Sequence, residues 1–271
     1  MKKKIQFLKM SGAGNDFIMV DNRDGLYSLS LQKKNIADLC RRGLSVGADG
    51  LIEIRNDPEE EHAFAMKYYN SDGGVAEMCG NGARCICCFA VDLGIARSGV
   101  EFLFSSDAGI HRGLVTGKNE ARVWLTEPVL YFTEKSIRTD REINTGFADT
   151  GVPHAVVFTD DLEDGSFEEN ASILRSHPEF GSRGANVNWV SVLDDGSMSM
   201  RTFERGVEAE TLACGTGAVA SALIASERFD SITLPVRIVA RSGLTLTVGR
   251  DSMGWWLQGE ARIVYRAEIV I

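Results

Sequence analysis

Short runs of alternating or unbroken apolar residues, many rich in Val, Ile and aromatic side chains, recur along this chain and read as strands. In the first half they are Ile5 to Met10, Phe17 to Asp21, Ala63 to Tyr69, Val100 to Ser105, Ile110 to Thr116 and Ala121 to Thr126. In the second half they are Ala155 to Thr159, Asn186 to Leu193, Met198 to Phe203, Ile232 to Ala240, Leu244 to Val248, Trp255 to Gln258 and Ile263 to Ile271. Each half also carries one polar helical pattern, Leu31 to Arg42 and Asn170 to Ser176. A second helical pattern, Ala83 to Leu93 and Ala218 to Arg228, is apolar around most of its circumference. Helices of that kind have no solvent face and must be buried. The strands are not each followed by a helix, which argues against a doubly wound parallel sheet. The expected fold is α/β, of the α+β-like kind: in each half, a mixed, mostly antiparallel sheet wrapped around one central apolar helix.

The halves repeat one another. Met78-Cys79-Gly80-Asn81-Gly82-Ala83 returns 135 positions later as Ala213-Cys214-Gly215-Thr216-Gly217-Ala218. Gly14 to Asp21 resembles Val152 to Asp160, a tight turn feeding an apolar strand that ends in aspartate, at nearly the same offset. Two unrelated features sharing one offset point to an internal duplication. The expected organisation is two pseudo-symmetric lobes. Residues 1–130 carry Cys79 and are completed by the C-terminal strand; residues 145–271 carry Cys214. The polar stretch Glu134 to Asn144 is expected to connect them.

The repeated phrase carries chemistry. Glycines at the start of a helix leave its first N–H groups free to face an anion, and a cysteine there is acidified. Two such thiols could meet across one small acidic ligand and move a proton from one face of a carbon to the other. Gly80 and Gly215 let backbone approach a carboxylate; Asn81 and Thr216 are helix-capping residue types that can donate to it. His154 lies in a Pro-His turn ahead of a strand, with Asp16 as its counterpart in the first half. Glu204-Arg205-Gly206 offers a carboxylate near the thiols and a guanidinium fork for a second carboxylate. The G-x-G of Gly12 to Gly14 lacks a third glycine and precedes a strand, so it reads as a turn presenting Asn15 and not as a dinucleotide site. Neither cysteine phrase carries the Lys-Ser/Thr pair of a phosphate loop.

Composition removes several classes. With 29 Lys and Arg against 38 Asp and Glu, the net charge is −9 and no basic stripe is visible, so nucleic acid is not an expected partner. No apolar stretch approaches the roughly 20 residues that span a membrane. No signal-peptide core follows the Lys2-Lys3-Lys4 run, so a cytoplasmic setting with six free thiols is expected. Cys85, Cys87 and Cys88 are too close together for a zinc site, and no metal is expected; they and Cys40 read as core. His62, His111 and His177 lie in polar surroundings and read as surface.

Lys9 to Phe17, Tyr69 to Cys85, Thr150 to Val157, Asn186 to Val190 and Thr202 to Ala218 together resemble the diaminopimelate epimerase family, in the family's order and over nearly the whole chain. The resemblance implies a two-lobed fold and epimerisation of LL- to meso-diaminopimelate without a cofactor, in lysine and peptidoglycan precursor biosynthesis. It implies that Cys79 and Cys214 are the two catalytic bases, and that His154 and Glu204 tune them. Asn15, Asn70, Asn186 and Arg205, with Glu204, are implied to hold the distal amino-acid end of the substrate. Gly80-Asn81 and Gly215-Thr216 are implied to clamp the reacting α-carboxylate. Tyr265 matches a tyrosine that some relatives use in a dimer contact, which implies a homodimer. The chain departs from the family in three places: Gly50 stands where some members have glutamine, Val152 where many have asparagine, and one extra residue lies between Arg205 and Cys214.

Two alternatives share some of these features. A proline or hydroxyproline racemase-like enzyme has the same fold and a cysteine pair, but proline has no second carboxylate for Arg205. A non-catalytic dithiol redox or anion-binding protein would use the same thiols for reversible oxidation.

Overall fold

The computed structural model describes residues 4–76 and 78–270. Lys2 and Lys3 of the basic run, and Ile271 at the end of the last expected strand, lie outside the described residues. The chain divides into two compact units, Met1–Val123 with Gln258–Ile271, and Trp124–Leu257.

The first unit runs β1 (Lys4–Gly12), β2 (Asn15–Asp21), α1 (Lys33–Cys40), β3 (Gly50–Arg55), β4 (Ala65–Asn70), β5 (Val75–Ala76), α2 (Gly80–Asp92), β6 (Phe102–Ser106), β7 (Gly109–Gly117) and β8 (Glu120–Trp124). Strand β1 pairs antiparallel with β2 and, on its other edge, with the C-terminal strand Arg262–Val270. Strand β2 pairs parallel with β3, and β3 antiparallel with β4. Strand β4 takes β5 antiparallel and β6 parallel, and β6 turns back into β7.

The second unit runs β9 (Val129–Arg138), β10 (Glu142–Asp149), β11 (Pro153–Phe158), α3 (Phe167–Arg175), β12 (Asn186–Val192), β13 (Met198–Glu204), β14 (Ala209–Thr211), α4 (Gly215–Arg228), β15 (Val236–Val239), β16 (Thr245–Asp251) and β17 (Gly254–Glu260). Its pairing repeats that of the first unit. Strands β10–β11 are antiparallel, β11–β12 parallel, β12–β13 and β13–β14 antiparallel, β13–β15 parallel and β15–β16 antiparallel. Strand β9 occupies the edge of β10 that the C-terminal strand, β18, occupies on β1. The two parallel joints fall at the same places, and the helices interrupt the strands at the same places, so the duplication read from the cysteine phrases extends to whole units. The mixed sheet and its few helices are the fold class expected above.

Each unit buries one helix. In α2, Gly80 to Ala90 are all buried; in α4, Gly215 and Gly217 to Ala225 are. Glycines let strands come close to them. A Cβ on Gly12 of β1 would lie 2.7 Å from the Asn81 carbonyl oxygen and 3.0 Å from Cys85 Sγ. The equivalent strand β10 does the same with Gly146, whose Cβ would lie 2.7 Å from Ile224 of α4. Strand glycines of this kind mark a close backbone approach.

Several elements differ from expectation. Glu134 to Asn144 is not a connector; it lies in the β9–β10 hairpin. Its charged residues face outward, while Ile137 and Ile143 join the second core with Phe147, Phe167 and Trp189. Strand β3 was not anticipated; its apolar run is buried throughout and includes Glu53, held by Asn22 and Arg55. The central helices begin at Gly80 and Gly215, one turn before the first alanine, because each cysteine is the N-cap. Of Ile232 to Ala240 only Val236–Val239 forms a strand. The three histidines read as surface are half-buried: His62 is held by Asp57 and His111 by Ser106, while His177 caps a short helical turn.

Gly12→Ala is expected to push the first turn of α2 off β1, because the atom it meets is backbone. Such overpacking costs about 1–3 kcal/mol, read as a Tm several degrees lower with near-native circular dichroism.

Candidate active site

Each unit presents one cysteine at the positive end of its buried helix, a position that favours an ionised sulfur. In the first unit, Cys79 is the N-cap of α2, and its Sγ accepts from the Gly82 N–H at 3.5 Å. It is half-buried. A file of side chains backs the helix start. Arg84 Nη2 donates to Asn81 Oδ1 at 2.7 Å, Asn81 donates to Asn15 Oδ1, and Asn15 Nδ2 donates to Asp49 Oδ2 at 3.0 Å. Asn15 sits there because the β1–β2 turn passes through two positive-φ residues, Ala13 and Gly14. Asp16, the counterpart of His154, is engaged instead by Lys9 at 2.7 Å and by Arg42. Asn70 ends β4, exposed and opposite Gly50.

Gly50 has a structural reason. A Cβ there would lie 2.4 Å from the Tyr69 carbonyl oxygen and 2.7 Å from the Tyr68 ring. The chain has closed the space that a glutamine side chain at this position would occupy.

In the second unit Cys214 caps α4 and is 4% exposed. Burial pushes its thiol well above the usual value, and the Glu204 carboxylate pushes the same way; the Thr216 hydroxyl and Gly217 N–H oppose them. A helix terminus contributes about 0.3–2 kcal/mol, at most about 1.5 pKa units, so at Cys214 burial outweighs the dipole. Sγ lies 3.5 Å from Thr216 Oγ1, and that oxygen lies 3.0 Å from His154 Nε2. His154 has no exposed surface. Asn186 faces His154 across the parallel β11–β12 joint and accepts the Arg205 N–H at 2.8 Å, which fixes the turn after Glu204.

Within the first unit, then, Asn15 is hydrogen-bonded to Asn81, which lies in the same helix start as Cys79 and Gly80. Within the second, direct bonds gather Cys214, Thr216 and His154, and separately Asn186 and Arg205. Sequence reading missed Arg84, Asp49, Asn188 and Thr202. Arg84 is fully buried with no carboxylate partner among the described residues, and its Nε makes no hydrogen bond there; burial lowers its pKa. An arginine in an otherwise apolar helix was the available signal. For Asn188 it was a second asparagine two positions after Asn186, on the same strand face.

The other cysteines are packing residues. Cys40, Cys85, Cys87 and Cys88 are buried and free, and burial raises each of their thiols, Cys40 to about 11.

The pairing repeated around one buried helix per unit defines a class of duplicated α/β fold. A Bacillus anthracis phenazine biosynthesis protein of the PhzF family has this fold, with a TM-score of 0.77 at 15% identity, covering 99% of this chain and 100% of that one. So does a hydroxyproline epimerase from Agrobacterium vitis, with a TM-score of 0.71 at 14% identity, covering 100% and 94%. Within that class the sequence is more specific. The profile of the diaminopimelate epimerase family matches residues 7–129 and 146–263. The diaminopimelate epimerase of Chlorobaculum tepidum is 39% identical over 97% of this chain and 100% of its own length. That of Aquifex aeolicus is 39% identical over 90% and 89%. The chain belongs to the diaminopimelate epimerase family.

Two solution results follow from this geometry. At neutral pH, limiting iodoacetamide is expected to alkylate Cys79 at least about tenfold faster than Cys85, Cys87 or Cys88, as read by peptide mass spectrometry. His154 is pushed down to about 3 by burial and, second, by the Arg205 charge, from 6.5. Between those values the unfolded chain binds a proton that the folded chain does not, so stability falls as pH drops through this range. His154→Gln is expected to flatten that part of a plot of Tm against pH.

Proposed function

We propose that this chain interconverts LL- and meso-diaminopimelate by moving the α-proton between two cysteines, without a cofactor. The observation that supports this most is the pair of N-capping cysteines, each at the start of a buried helix and each backed by a different set of polar groups. One sulfur acts as thiolate and takes the α-proton; the other, as thiol, delivers its proton to the opposite face. The C–H electron pair passes into the carboxylate as the proton leaves and returns to carbon as the new one arrives. Each turnover exchanges the two sulfurs' protonation states, which readies the enzyme for the reverse direction. Gly80-Asn81 and Gly215-Thr216 hold the carboxylate whose charge grows in the transition state, where fixed donors are most effective. A positioned acid or base contributes on the order of 10²–10⁴-fold.

The distal amino-acid end falls to Asn15, Asn70, Asn186 and Arg205, with Glu204. Arg205 is the group that separates this reading from a proline racemase-like one, since a second carboxylate calls for a cation. His154 and Glu204 tune Cys214. The same reading includes a homodimer, supported by the exposure of Val264 and Tyr265 on β18, and a cytoplasmic setting that keeps the six thiols reduced.

The reduced protein is expected to convert LL-diaminopimelate to the meso form and to leave proline and hydroxyproline unchanged. Cys79→Ala and Cys214→Ala are each expected to abolish conversion, and the double variant to be no worse than either. Wild-type turnover in either single variant, or activity on proline alone, overturns the reading.

A further inference from the structure

Behind Cys214 lies a run of buried polar groups that the family roles leave unused. Asn188 on β12 has no exposed surface, and Thr202 on β13 has 2%. A Cβ on Gly217 would lie 2.3 Å from Asn188 Oδ1, so the amide sits directly against the first turn of α4.

The orientation of that amide is determined by what surrounds it. One of its two terminal atoms lies 3.2 Å from the Ala155 carbonyl oxygen. A carbonyl only accepts, so this atom is Nδ2. The other, Oδ1, accepts from Thr202 Oγ1 at 3.0 Å. The second Nδ2 hydrogen then faces His154 Nδ1 at 3.0 Å. A donor facing Nδ1 leaves that nitrogen as the acceptor, so a neutral ring carries its one proton on Nε2. Nε2–H therefore donates to Thr216 Oγ1 at 3.0 Å. The threonine oxygen accepts there, and its own hydrogen is left for Cys214 Sγ at 3.5 Å.

We infer that Asn188 is a positioning residue that holds His154 as the Nε2–H tautomer and thereby turns the Thr216 hydroxyl toward the Cys214 sulfur as a standing donor. A donor aimed at sulfur favours thiolate over thiol. The chain runs one way, from an amide that cannot rotate to a sulfur that must ionise inside the protein. Its catalytic consequence rests on Cys214 being one of the two bases; the tautomer does not.

The test is the ¹⁵N spectrum of protein carrying ¹⁵N-histidine, with the His154 ring assigned by its loss in His154→Gln. At neutral pH the wild type is expected to show a protonated Nε2 and a bare Nδ1. Asn188→Asp replaces the donor with an acceptor of nearly the same shape and is expected to place a proton on Nδ1. Its kcat for diaminopimelate is expected to fall at least about tenfold with KM little changed, because the group acts on ionisation and not on binding. Thr202→Val leaves the Ala155 carbonyl to orient the amide and is expected to keep the Nε2–H ring. A wild-type ring protonated on Nδ1 overturns the inference even if Asn188→Asp does not fold. An unchanged tautomer in folded Asn188→Asp, or a switched tautomer with kcat intact, overturns it equally. Absence of epimerase activity alongside the expected wild-type tautomer overturns the proposed function and leaves the hydrogen-bond direction standing.

Discussion

A cysteine placed at the N-cap of a helix that is itself buried is the constraint on which the rest of this structure depends. The helix must be apolar on every side, so a sheet has to enclose it, and α2 and α4 are enclosed in that way. Its first N–H groups cannot be left unmet in a dry interior. Glycine at the first and third helical positions, Gly80 and Gly82, Gly215 and Gly217, keeps that end open and lets strands, side-chain amides or a ligand approach it. Close-approach glycines in β1 and β10 carry the same demand into the neighbouring strands.

Duplication solves this constraint twice, and the two solutions have diverged. The first unit keeps its sulfur half-buried and backs it with a buried guanidinium acting through Asn81 and Asn15 on Asp49. The second buries its sulfur against Glu204 and backs it with a neutral imidazole and an amide. The frame is pseudo-symmetric while the polar lining is not. A substrate with two chemically similar centres requires that difference if only one of them is to react.

Much of this was legible in the sequence because the duplication left two features at one offset. The cysteine phrases located both helix starts to within one turn, and Asn15, His154 and Arg205 fell among the groups that the structure ties together within each unit. The misses have physical causes. The β9–β10 hairpin was hidden because outward-facing charge masks an inward alternation, as with Lys135 and Glu142 beside Ile137 and Ile143. Strand β3 was hidden because Glu53, though buried, interrupts its apolar run. Arg84, Asn188 and Thr202 were hidden because a single polar residue inside an apolar run carries no local sign of its partner. Asn188 becomes intelligible only when parallel pairing brings His154 alongside β12. Gly50 shows the converse: its lost side chain reads as a missing contact in the sequence and as a filled space, closed by Tyr68 and Tyr69, in the fold.

The central claim is that two different sulfurs handle one proton each. Its most direct test is a single-turnover reaction of LL-diaminopimelate in D₂O, with label followed at the α-carbon by NMR. Two bases predict meso product carrying deuterium from its first appearance, while recovered LL substrate still carries protium. Meso product that retains the substrate's own proton would contradict the account, because one group would then have served both faces.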